Sequence, residues 1–378
     1  MTISSVAIVT SMAYSLANFR GPLIAQLVAK GVRVYALAPD YDAATRQAVT
    51  ALGAEPVAIS MDRTGMRPLR DGRDFVGLVG LLRTLRPDAV LCYFMKPVIY
   101  GSLAATLARV PTRIAMVEGL GYIFTQSGRP VSLRQRLLRW LSMHLYSVAF
   151  RAAHRVILLN KDDLEQFIGA SVLAADKAVL LGGIGVDLAR LSPVPPVADP
   201  LTFLLMARLL REKGICEYVE AARLVRARHG NVRFVLLGGL DPNPGGLTRD
   251  DVQSWADEGV VEWPGHVDDV RPWIVQSSVY VMPSYYREGV PRSTQEAMAM
   301  GRPVITTDNV GCRDTVDDGV NGFLVPVRDS QALAAAMQRF IEQPDLVRAM
   351  GRESRRLAEE RFDVHKINAV MLEVLGIS

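Results

Sequence analysis

Residues 283–303 read PSYYREGVPRSTQEAMAMGRP, and they directly follow the apolar run Val279–Met282. The short apolar run predicts a buried strand. Gly289 is the flexible point of the loop that follows, and a helix is predicted to begin near Pro291. A strand–loop–helix unit of this kind is the building block of a parallel α/β sheet.

The same alternation of apolar strands and amphipathic helices extends through the chain on both sides of this stretch. A first series of strands is predicted at Val6–Thr10, Val32–Ala38, Ala89–Tyr93, Arg113–Val117 and Arg155–Leu159. A second series is predicted at Leu201–Met206, Arg233–Leu237, Val260–Trp263, Val279–Met282, Val304–Thr306 and Gly322–Val325. Between them, residues 192–200 contain four prolines, which favour a stiff connector. The sequence therefore predicts an α/β protein with two domains that meet at this connector.

The composition limits the class of protein. The chain has 378 residues and is 49% hydrophobic, which suits two packed cores. Its three cysteines, Cys92, Cys216 and Cys312, are far apart, which argues against a disulfide scaffold, a zinc site or a redox pair. No signal-peptide pattern frames the N-terminus, and no uncharged apolar run reaches the roughly 20 residues that span a bilayer. We therefore expect a cytoplasmic protein that is soluble or peripheral to a membrane.

Charge is distributed unevenly along the chain. Residues 1–192 contain 22 Lys and Arg against 13 Asp and Glu, a net charge of +9, and the remainder carries −5. Residues 133–151 are predicted to form a basic amphipathic helix whose apolar face comprises Leu137, Trp140, Leu141, Leu145 and Val148. Arg136 and Arg139 lie on the opposite face, and Arg134 interrupts the apolar one. The pattern fits a helix on anionic lipid or an ordinary core-facing helix, and the basic first half favours membrane contact.

Two glutamates flank the loop and helix of the opening stretch. Glu288 precedes the predicted helix and Glu296 lies within it, with seven residues between them. The backbone N–H groups at a helix N-terminus can bind a diphosphate, and carboxylates beside it can accept hydrogen bonds from sugar hydroxyls. A lone glutamate at such a place is more often a solvated surface residue. The pair around Glu-Gly-x-Pro favours a binding site.

Cationic residues follow the strand at Leu201–Met206. Arg208, Arg211 and Lys213 precede Gly214 in a predicted turn at the end of this strand. Fixed cations at the carboxyl edge of an α/β sheet could stabilise the negative charge of a departing diphosphate. A solvated turn is an equally good interpretation of these residues taken alone.

Together with Gly185-Val-Asp187, Leu237-Gly-Gly239 and Pro264-Gly-His-Val267, these motifs resemble glycosyltransferase family 4, and they occur in the family's order. The resemblance implies the GT-B fold, an α/β architecture of two Rossmann-like domains with parallel sheets that face a cleft. It implies an N-terminal acceptor-binding domain at 1–192 and a C-terminal nucleotide-sugar donor-binding domain at 200–363. The final helix, at about 364–378, would pack back on the first domain.

The resemblance also implies a reaction and roles for individual residues. The family transfers sugar from a nucleotide sugar with retention and generally needs neither cofactor nor metal. Arg208 and Lys213 would hold the donor diphosphate, Glu288 the donor sugar and Glu296 the ribose. The donor pocket would also include Gly239, Val267, Gly289, Val290 and Pro291.

A narrower resemblance concerns the first domain. Asn18-Phe-Arg20, Lys96 and Val117-Glu-Gly-Leu-Gly121 are similar to bacterial transferases that add N-acetylgalactosamine to undecaprenyl-diphosphate-linked diacetylbacillosamine. This similarity implies a UDP-linked donor, a polyprenyl-diphosphate-linked acceptor bound by Asn18, Arg20 and Lys96, and a place on the inner face of the cell membrane. Many family members have a His where Glu118 stands, and Glu118 could bind the acceptor hydroxyl, receive its proton, or only cap a turn.

Other functions fit parts of the pattern. The donor could be another UDP- or GDP-sugar in exopolysaccharide or O-antigen synthesis, or the protein could be a nucleotide-sugar epimerase or a non-catalytic binding protein. Asp40-Tyr-Asp42 has the Asp-x-Asp spacing of a metal-dependent GT-A transferase, although such pairs are common in loops. A nucleic-acid-binding protein is disfavoured, since no basic platform interleaved with aromatics occurs.

Overall fold

The structure, a computed structural model, describes residues 3–62, 67–125, 132–243 and 245–377. These residues form two compact units. The first unit comprises residues 3–123, 132–184 and 364–377, and the second comprises 124–125 and the described part of 185–363.

The first unit is built on a seven-stranded parallel sheet of order β3-β2-β1-β4-β5-β6-β7. The strands are β1 (Ser5–Val9), β2 (Arg33–Ala38), β3 (Glu55–Ala58), β4 (Ala89–Tyr93), β5 (Thr112–Val117), β6 (Arg155–Leu158) and β7 (Ala178–Leu180). The helices are α1 (Tyr14–Ala29), α2 (Ala43–Ala51), α3 (Pro68–Leu85), α4 (Ser102–Leu107), α5 (Leu133–Ala152) and α6 (Lys161–Gly169). The chain reverses direction across the sheet after β3, so right-handed connections place α1 and α2 on one face and α3, α4 and α5 on the other.

The second unit is built on a six-stranded parallel sheet of order β10-β9-β8-β11-β12-β13. Its strands are β8 (Leu201–Met206), β9 (Val232–Leu237), β10 (Glu262–Gly265), β11 (Val279–Met282), β12 (Val304–Thr307) and β13 (Gly322–Val325). Its helices are α7 (Ile215–Arg226), α8 (Arg249–Asp257), α9 (Arg271–Val275), α10 (Arg292–Ala299), α11 (Ser330–Glu342) and α12 (Asp345–Arg361). The order of this sheet is that of a Rossmann fold. The prediction of an α/β chain with two parallel sheets is confirmed.

The central strands of the second sheet are buried along their whole length. Every residue of β8 and of β11 is buried, as expected for strands that helices cover on both faces. Tyr218 of α7 lies in this core, where its hydroxyl donates to the carbonyl oxygens of Phe203 at 2.8 Å and Val235 at 3.2 Å. Tyr218 thus links β8 to β9, while β8 pairs with β11 on its other side, so the carboxyl ends of β8 and β11 are neighbours.

The proline-rich stretch differs from its prediction as an interdomain connector. The boundary between the units lies earlier, between Ile184 and Gly185. The stretch packs on the second unit, where Arg302 Nη1 donates to the Val194 carbonyl at 2.8 Å and Ser278 Oγ donates to the Val197 carbonyl at 2.7 Å. Hydrogen bonds to the carbonyls of its two valines attach it there.

The last helix, α13 (Val364–Leu375), belongs to the first unit although it follows the second in sequence. It contacts α1, and Gln26 Nε2 lies 3.1 Å from His365 Nδ1. One face of the helix, including Ile367, Met371 and Leu375, is buried. Burial of this apolar face accounts for the return of the chain to the first unit.

Arg302 is completely buried and donates to four backbone carbonyls, those of Ile274, Val194, Met300 and Val275. Burial lowers its pKa to about 10. We predict that Arg302→Ala lowers the free energy of unfolding by at least about 2 kcal/mol, because it leaves a cavity and buried carbonyls without donors. Urea denaturation measures this change. Arg356→Ala, which removes exposed ion pairs, is the control and is expected to change it by less than ~0.5 kcal/mol; equal effects would contradict the prediction.

Candidate donor and acceptor sites

The strand order brings the two motif-bearing loops of the second unit together. β8 and β11 are hydrogen-bonded neighbours, and Val279 pairs with Phe203. Connections leave these strands toward opposite edges of the sheet, so a crevice opens at their carboxyl ends, where α/β proteins bind ligands. Arg208 and Lys213 follow β8, and Glu288 follows β11.

A close backbone contact joins the two loops. Gly214 ends the turn after β8 with a φ of 74°, and a Cβ at this position would lie 2.0 Å from the Pro283 carbonyl oxygen. The Glu212 carbonyl accepts hydrogen bonds from the backbone N–H groups of Tyr285 and Tyr286, both at 2.9 Å. Glycine is therefore required at 214, and the loops are held as one piece of structure.

Lys213 and Glu288 form an ion pair across the two loops. Lys213 Nζ lies 2.5 Å from Glu288 Oε1, and each side chain is only 11% exposed. Ser284 Oγ donates to the same carboxylate oxygen at 2.8 Å, and the Lys213 ammonium lies 5.2 Å from the centre of the Tyr286 ring. The structure thus brings together two of the predicted site residues.

Arg208 makes a second ion pair at this edge. Its Nη1 lies 2.6 Å from Asp241 Oδ2, in the loop after β9. Burial opposes ionisation of both groups, but their mutual attraction and, for Asp241, the Asn243 backbone N–H outweigh it. The pKa of Arg208 is therefore raised and that of Asp241 lowered, so both are charged at neutral pH.

The N-terminus of α10 supplies further donors. Pro291 precedes the helix, no side chain caps it, and Glu296 pairs with Arg292 on the same helix at 2.9 Å. Burial raises the pKa of Glu296 despite Arg292. Gly289 and Val290, immediately before the helix, are buried. Backbone N–H groups at such a terminus can bind an anion.

Gly239 and Val267 lie on neighbouring loops after β9 and β10. A Cβ on Gly239 would lie 3.5 Å from the His266 Cβ, so these two segments, both predicted to belong to the donor pocket, are adjacent. Gly238 N donates to the Gly265 carbonyl at 2.9 Å. Val267 is half-buried.

In the first unit, Arg20 and Glu118 form a buried ion pair. Arg20, from α1, is 4% exposed, and Glu118, which follows β5, has a side chain that is 10% exposed. The Arg20 guanidinium lies 4.9 Å from the centre of the Tyr93 ring, and Tyr93 hydrogen-bonds to Ser15 at 2.6 Å. Glu118 is therefore engaged with a cation, in addition to any role toward an acceptor.

The other two predicted acceptor residues, Lys96 and Asn18, make contacts of their own. Lys96 Nζ donates to Asp71 Oδ1 at 2.8 Å, and both side chains are largely buried. Asn18 is exposed and donates to the Tyr14 carbonyl within its own helix at 3.0 Å. Residues two apart on a helix point in different directions, so Asn18 and Arg20 are not neighbours on the surface of α1.

Two family models match the chain. One, described as glycosyl transferase 4-like domain, matches residues 17–183, and another, described as glycosyl transferases group 1, matches residues 200–343. The chain belongs to the glycosyltransferases. The predictions of an enzyme of this class and of the resemblance to family 4 are confirmed.

The glycosyltransferase has full-length relatives. It is 26% identical, over 88% of both chains, to N,N'-diacetylbacillosaminyl-diphospho-undecaprenol alpha-1,3-N-acetylgalactosaminyltransferase of Campylobacter jejuni. Among solved structures, sucrose-phosphate synthase from Thermosynechococcus elongatus superimposes with a TM-score of 0.78 at 20% identity over 98% of both chains. Anabaena Alr3699/HepE, in complex with UDP and glucose, gives 0.76 at 19% identity over 99% of both chains. These similarities confirm the GT-B fold class.

The Asp-x-Asp pair of the GT-A alternative has structural roles in this glycosyltransferase. Asp42 caps α2 by accepting from the Thr45 backbone N–H at 2.8 Å, and Asp40 Oδ1 accepts from Ala13 N at 2.6 Å. Within the described ranges, no group of three His, Cys, Asp or Glu residues is placed to hold a metal. Independence from metal stays a prediction.

Sequence reasoning missed three residues that complete these sites. Asp241 accepts a hydrogen bond from Arg208, Ser284 donates one to Glu288, and Asp71 accepts one from Lys96. Ser284 lies within the stretch 283–303 and Asp241 is two residues after Gly239, so closeness to these motifs in sequence was an available signal. Asp71 lies on α3, far from any motif, and only the tertiary structure reveals its role.

We predict that Gly214→Ala lowers the free energy of unfolding by about 2 kcal/mol or more, because the left-handed backbone and the Pro283 carbonyl leave no space for a methyl group. Chemical denaturation measures the loss. Gly230→Ala is the matched control, since a Cβ there would meet nothing within 4 Å. A Gly214→Ala protein as stable as this control would refute the close contact.

Proposed function

We propose that this glycosyltransferase moves a sugar from a UDP-linked donor to an undecaprenyl-diphosphate-linked saccharide in bacterial polysaccharide synthesis, with retention of configuration. N-acetylgalactosamine is the donor sugar that we favour. The observation that carries the proposal is the Lys213–Glu288 pair beside Arg208 at the carboxyl edge of the second sheet. The similarity along 88% of the Campylobacter jejuni enzyme supports the narrower assignment.

The proposed donor diphosphate lies between Arg208, Lys213 and the N-terminus of α10. Negative charge develops on the diphosphate as the bond to the sugar breaks, and fixed cations and helix N–H groups stabilise it. Glu288 accepts hydrogen bonds from sugar hydroxyls, and its contact with Ser284 fixes the direction of its carboxylate. Glu296 binds the ribose, and the backbone near Val267 meets the base.

Retention follows from attack on the face from which the diphosphate leaves. The acceptor oxygen bonds to the anomeric carbon while the carbon–oxygen bond to the diphosphate breaks. The acceptor proton passes to the departing phosphate oxygen, so no side-chain nucleophile is needed. Lys213 and Arg208 hold the departing phosphate in the position that receives this proton.

The proposed acceptor site uses the carboxyl edge of the first sheet. Arg20 and Lys96 are cations there, which suits a lipid diphosphate. Each is oriented by an ion pair with a largely buried carboxylate, Glu118 and Asp71 respectively. Asn18, exposed on α1, contacts the acceptor saccharide.

We propose further that α5 lies on the cytoplasmic face of an anionic membrane. Its N-terminal half exposes Leu133, Leu137 and Trp140 to 83%, 62% and 65%, with exposed Arg134 and Arg136 among them. Leu141, Leu145 and Val148, expected on the apolar face, are instead partly buried, because from Ser142 onward α5 packs through Ser142, Tyr146 and Phe150. Among the described helices, none is long and apolar enough to cross a membrane.

The neighbouring helix α3 extends this surface. It lies on the same face of the sheet as α5, and α4 contacts both. Leu69 and Val76 are 94% and 68% exposed on α3, and Arg70 and Arg73 beside them are exposed as well. Its two acidic residues, Asp71 and Asp74, are buried. Apolar and basic groups together are the composition that anionic lipid attracts.

The test of the reaction uses the purified protein, radiolabelled UDP-N-acetylgalactosamine and an undecaprenyl-diphosphate-linked diacetylbacillosamine acceptor, with EDTA present. We expect label in the lipid fraction. In Glu288→Ala the rate of labelling should fall by about 100-fold or more, because the donor sugar loses the carboxylate that binds its hydroxyls. Glu258→Ala, which changes an exposed acid of the same unit, is the control and should retain activity.

Other outcomes of this assay assign other functions. Transfer from a different UDP- or GDP-sugar in a donor panel would keep the reaction and replace N-acetylgalactosamine as the donor. Activity lost with EDTA and restored by a divalent metal would contradict the metal-free mechanism. Interconversion of donor sugars without transfer would identify an epimerase, and binding of the donor without turnover a binding protein.

For the membrane, we predict that replacing Leu137 and Trp140 by Ser weakens binding to vesicles that contain anionic lipid by about tenfold, because two exposed apolar anchors are lost. Vesicle co-sedimentation measures the change. Val370→Ser is the matched control, since Val370 is 37% exposed on α13, which packs with α1 on the other face of the sheet. Binding that is unchanged in the double variant, or weakened as much by the control, would remove α5 as the docking helix.

A further inference from the structure

Each cation of the donor site is already paired with a carboxylate. Arg208 pairs with Asp241, and Lys213 pairs with Glu288. The four groups together carry no net charge. A diphosphate that binds at this edge of the sheet therefore contacts two cations, each of which already has a carboxylate within hydrogen-bond distance. The negative charge of these carboxylates opposes the binding of the anion.

Asp241 is held rigidly in this arrangement. Its side chain is 6% exposed, and its Oδ1 accepts from the Asn243 backbone N–H at 2.9 Å. The loop that carries it is tied to the turn after β8, because Leu209 N donates to the Gly239 carbonyl at 3.0 Å and Leu247 N to the Leu209 carbonyl at 2.9 Å. These loop contacts fix the backbone near Asp241, and the Asn243 N–H holds its carboxylate beside Arg208.

We propose that Asp241 is a positioning residue that orients Arg208 and speeds release of the nucleoside diphosphate product. This inference rests on the proposed function. The product is more anionic than the donor, because cleavage leaves a terminal phosphate that carries close to two negative charges at neutral pH. A fixed negative charge next to Arg208 therefore weakens binding of the product more than binding of the donor.

The test compares Asp241→Asn with the unaltered protein. Asn keeps an oxygen that accepts from Arg208 but removes the negative charge. We expect UDP to bind about fivefold more tightly or better, measured by calorimetry and as a lower inhibition constant in the transfer assay. The KM for the nucleotide sugar should fall by a smaller factor, and kcat should fall because the product leaves more slowly.

Two ligands and one variant serve as controls. Uridine lacks phosphate, so its affinity should be the same in both proteins, whereas inorganic pyrophosphate should follow UDP. The ratio of UDP affinities should shrink as salt is raised, which a purely structural effect would not produce. Glu262→Gln also removes an acid paired with an arginine, Arg233, but at the beginning of strands β9 and β10, at the opposite edge of the sheet. It should leave UDP affinity unchanged.

The possible results separate this inference from the proposed function. If neither UDP nor GDP binds the unaltered protein, the proposed donor fails. If the diphosphate binds and Asp241→Asn leaves its affinity unchanged or weaker, the proposed function stands and the role of Asp241 is overturned. If Asp241→Asn binds both UDP and uridine more tightly by the same factor, the role of Asp241 is also overturned, because the gain in affinity would then not come from charge.

Discussion

The backbone of Gly214 lies so close to the Pro283 carbonyl oxygen that a Cβ would come within 2.0 Å of it. This contact joins the loops after β8 and β11, and the Glu212 carbonyl reinforces it by accepting from two backbone N–H groups of the second loop. Because the loops are fixed to each other, Lys213 reaches Glu288 without further ordering of the backbone. The geometry of the proposed donor site therefore depends on a packing constraint between main chains.

Electrostatics follow from this arrangement. A row of unpaired cations in a partly buried crevice would repel one another and destabilise the fold. Carboxylates from adjacent loops balance Arg208 and Lys213, so the protein keeps two cations in place without a net charge at the edge of the sheet. The N-terminus of α10 adds attraction for an anion through partial charges that need no counter-ion.

In the first unit, cations are likewise paired with carboxylates from other elements. Arg20 lies on α1 and pairs with Glu118 after β5, and Lys96 after β4 pairs with Asp71 on α3. In both units, the cations that the proposed reaction needs are oriented by buried carboxylates. The same unit exposes apolar and basic groups on the face that carries α3 and α5, away from the α1 side where α13 packs.

Some elements of the fold could be predicted from the sequence and others could not. Short buried strands such as β8 and β11 were predictable, because an apolar run fully covered on both faces has a clear signature. The edge strands β3 and β7 were not, since they are short and only partly buried. The exposed face of α5 was assigned only in part, because periodicity does not tell which apolar residues a neighbouring helix covers.

The sequence by itself determined the two-sheet α/β architecture, because strands and helices leave local apolar patterns, and the glycosyltransferase class, through motifs that resemble a known family; it also singled out Arg208, Lys213 and Glu288, whose donor-site role stays a proposal. Only the tertiary structure decided which partner each charge has and where the proline-rich stretch packs. The partners are distant in the chain: Asp241 is 33 residues from Arg208, and Glu288 is 75 from Lys213. Such pairs form only after strand order has placed the loops at one edge, and local sequence does not encode that order.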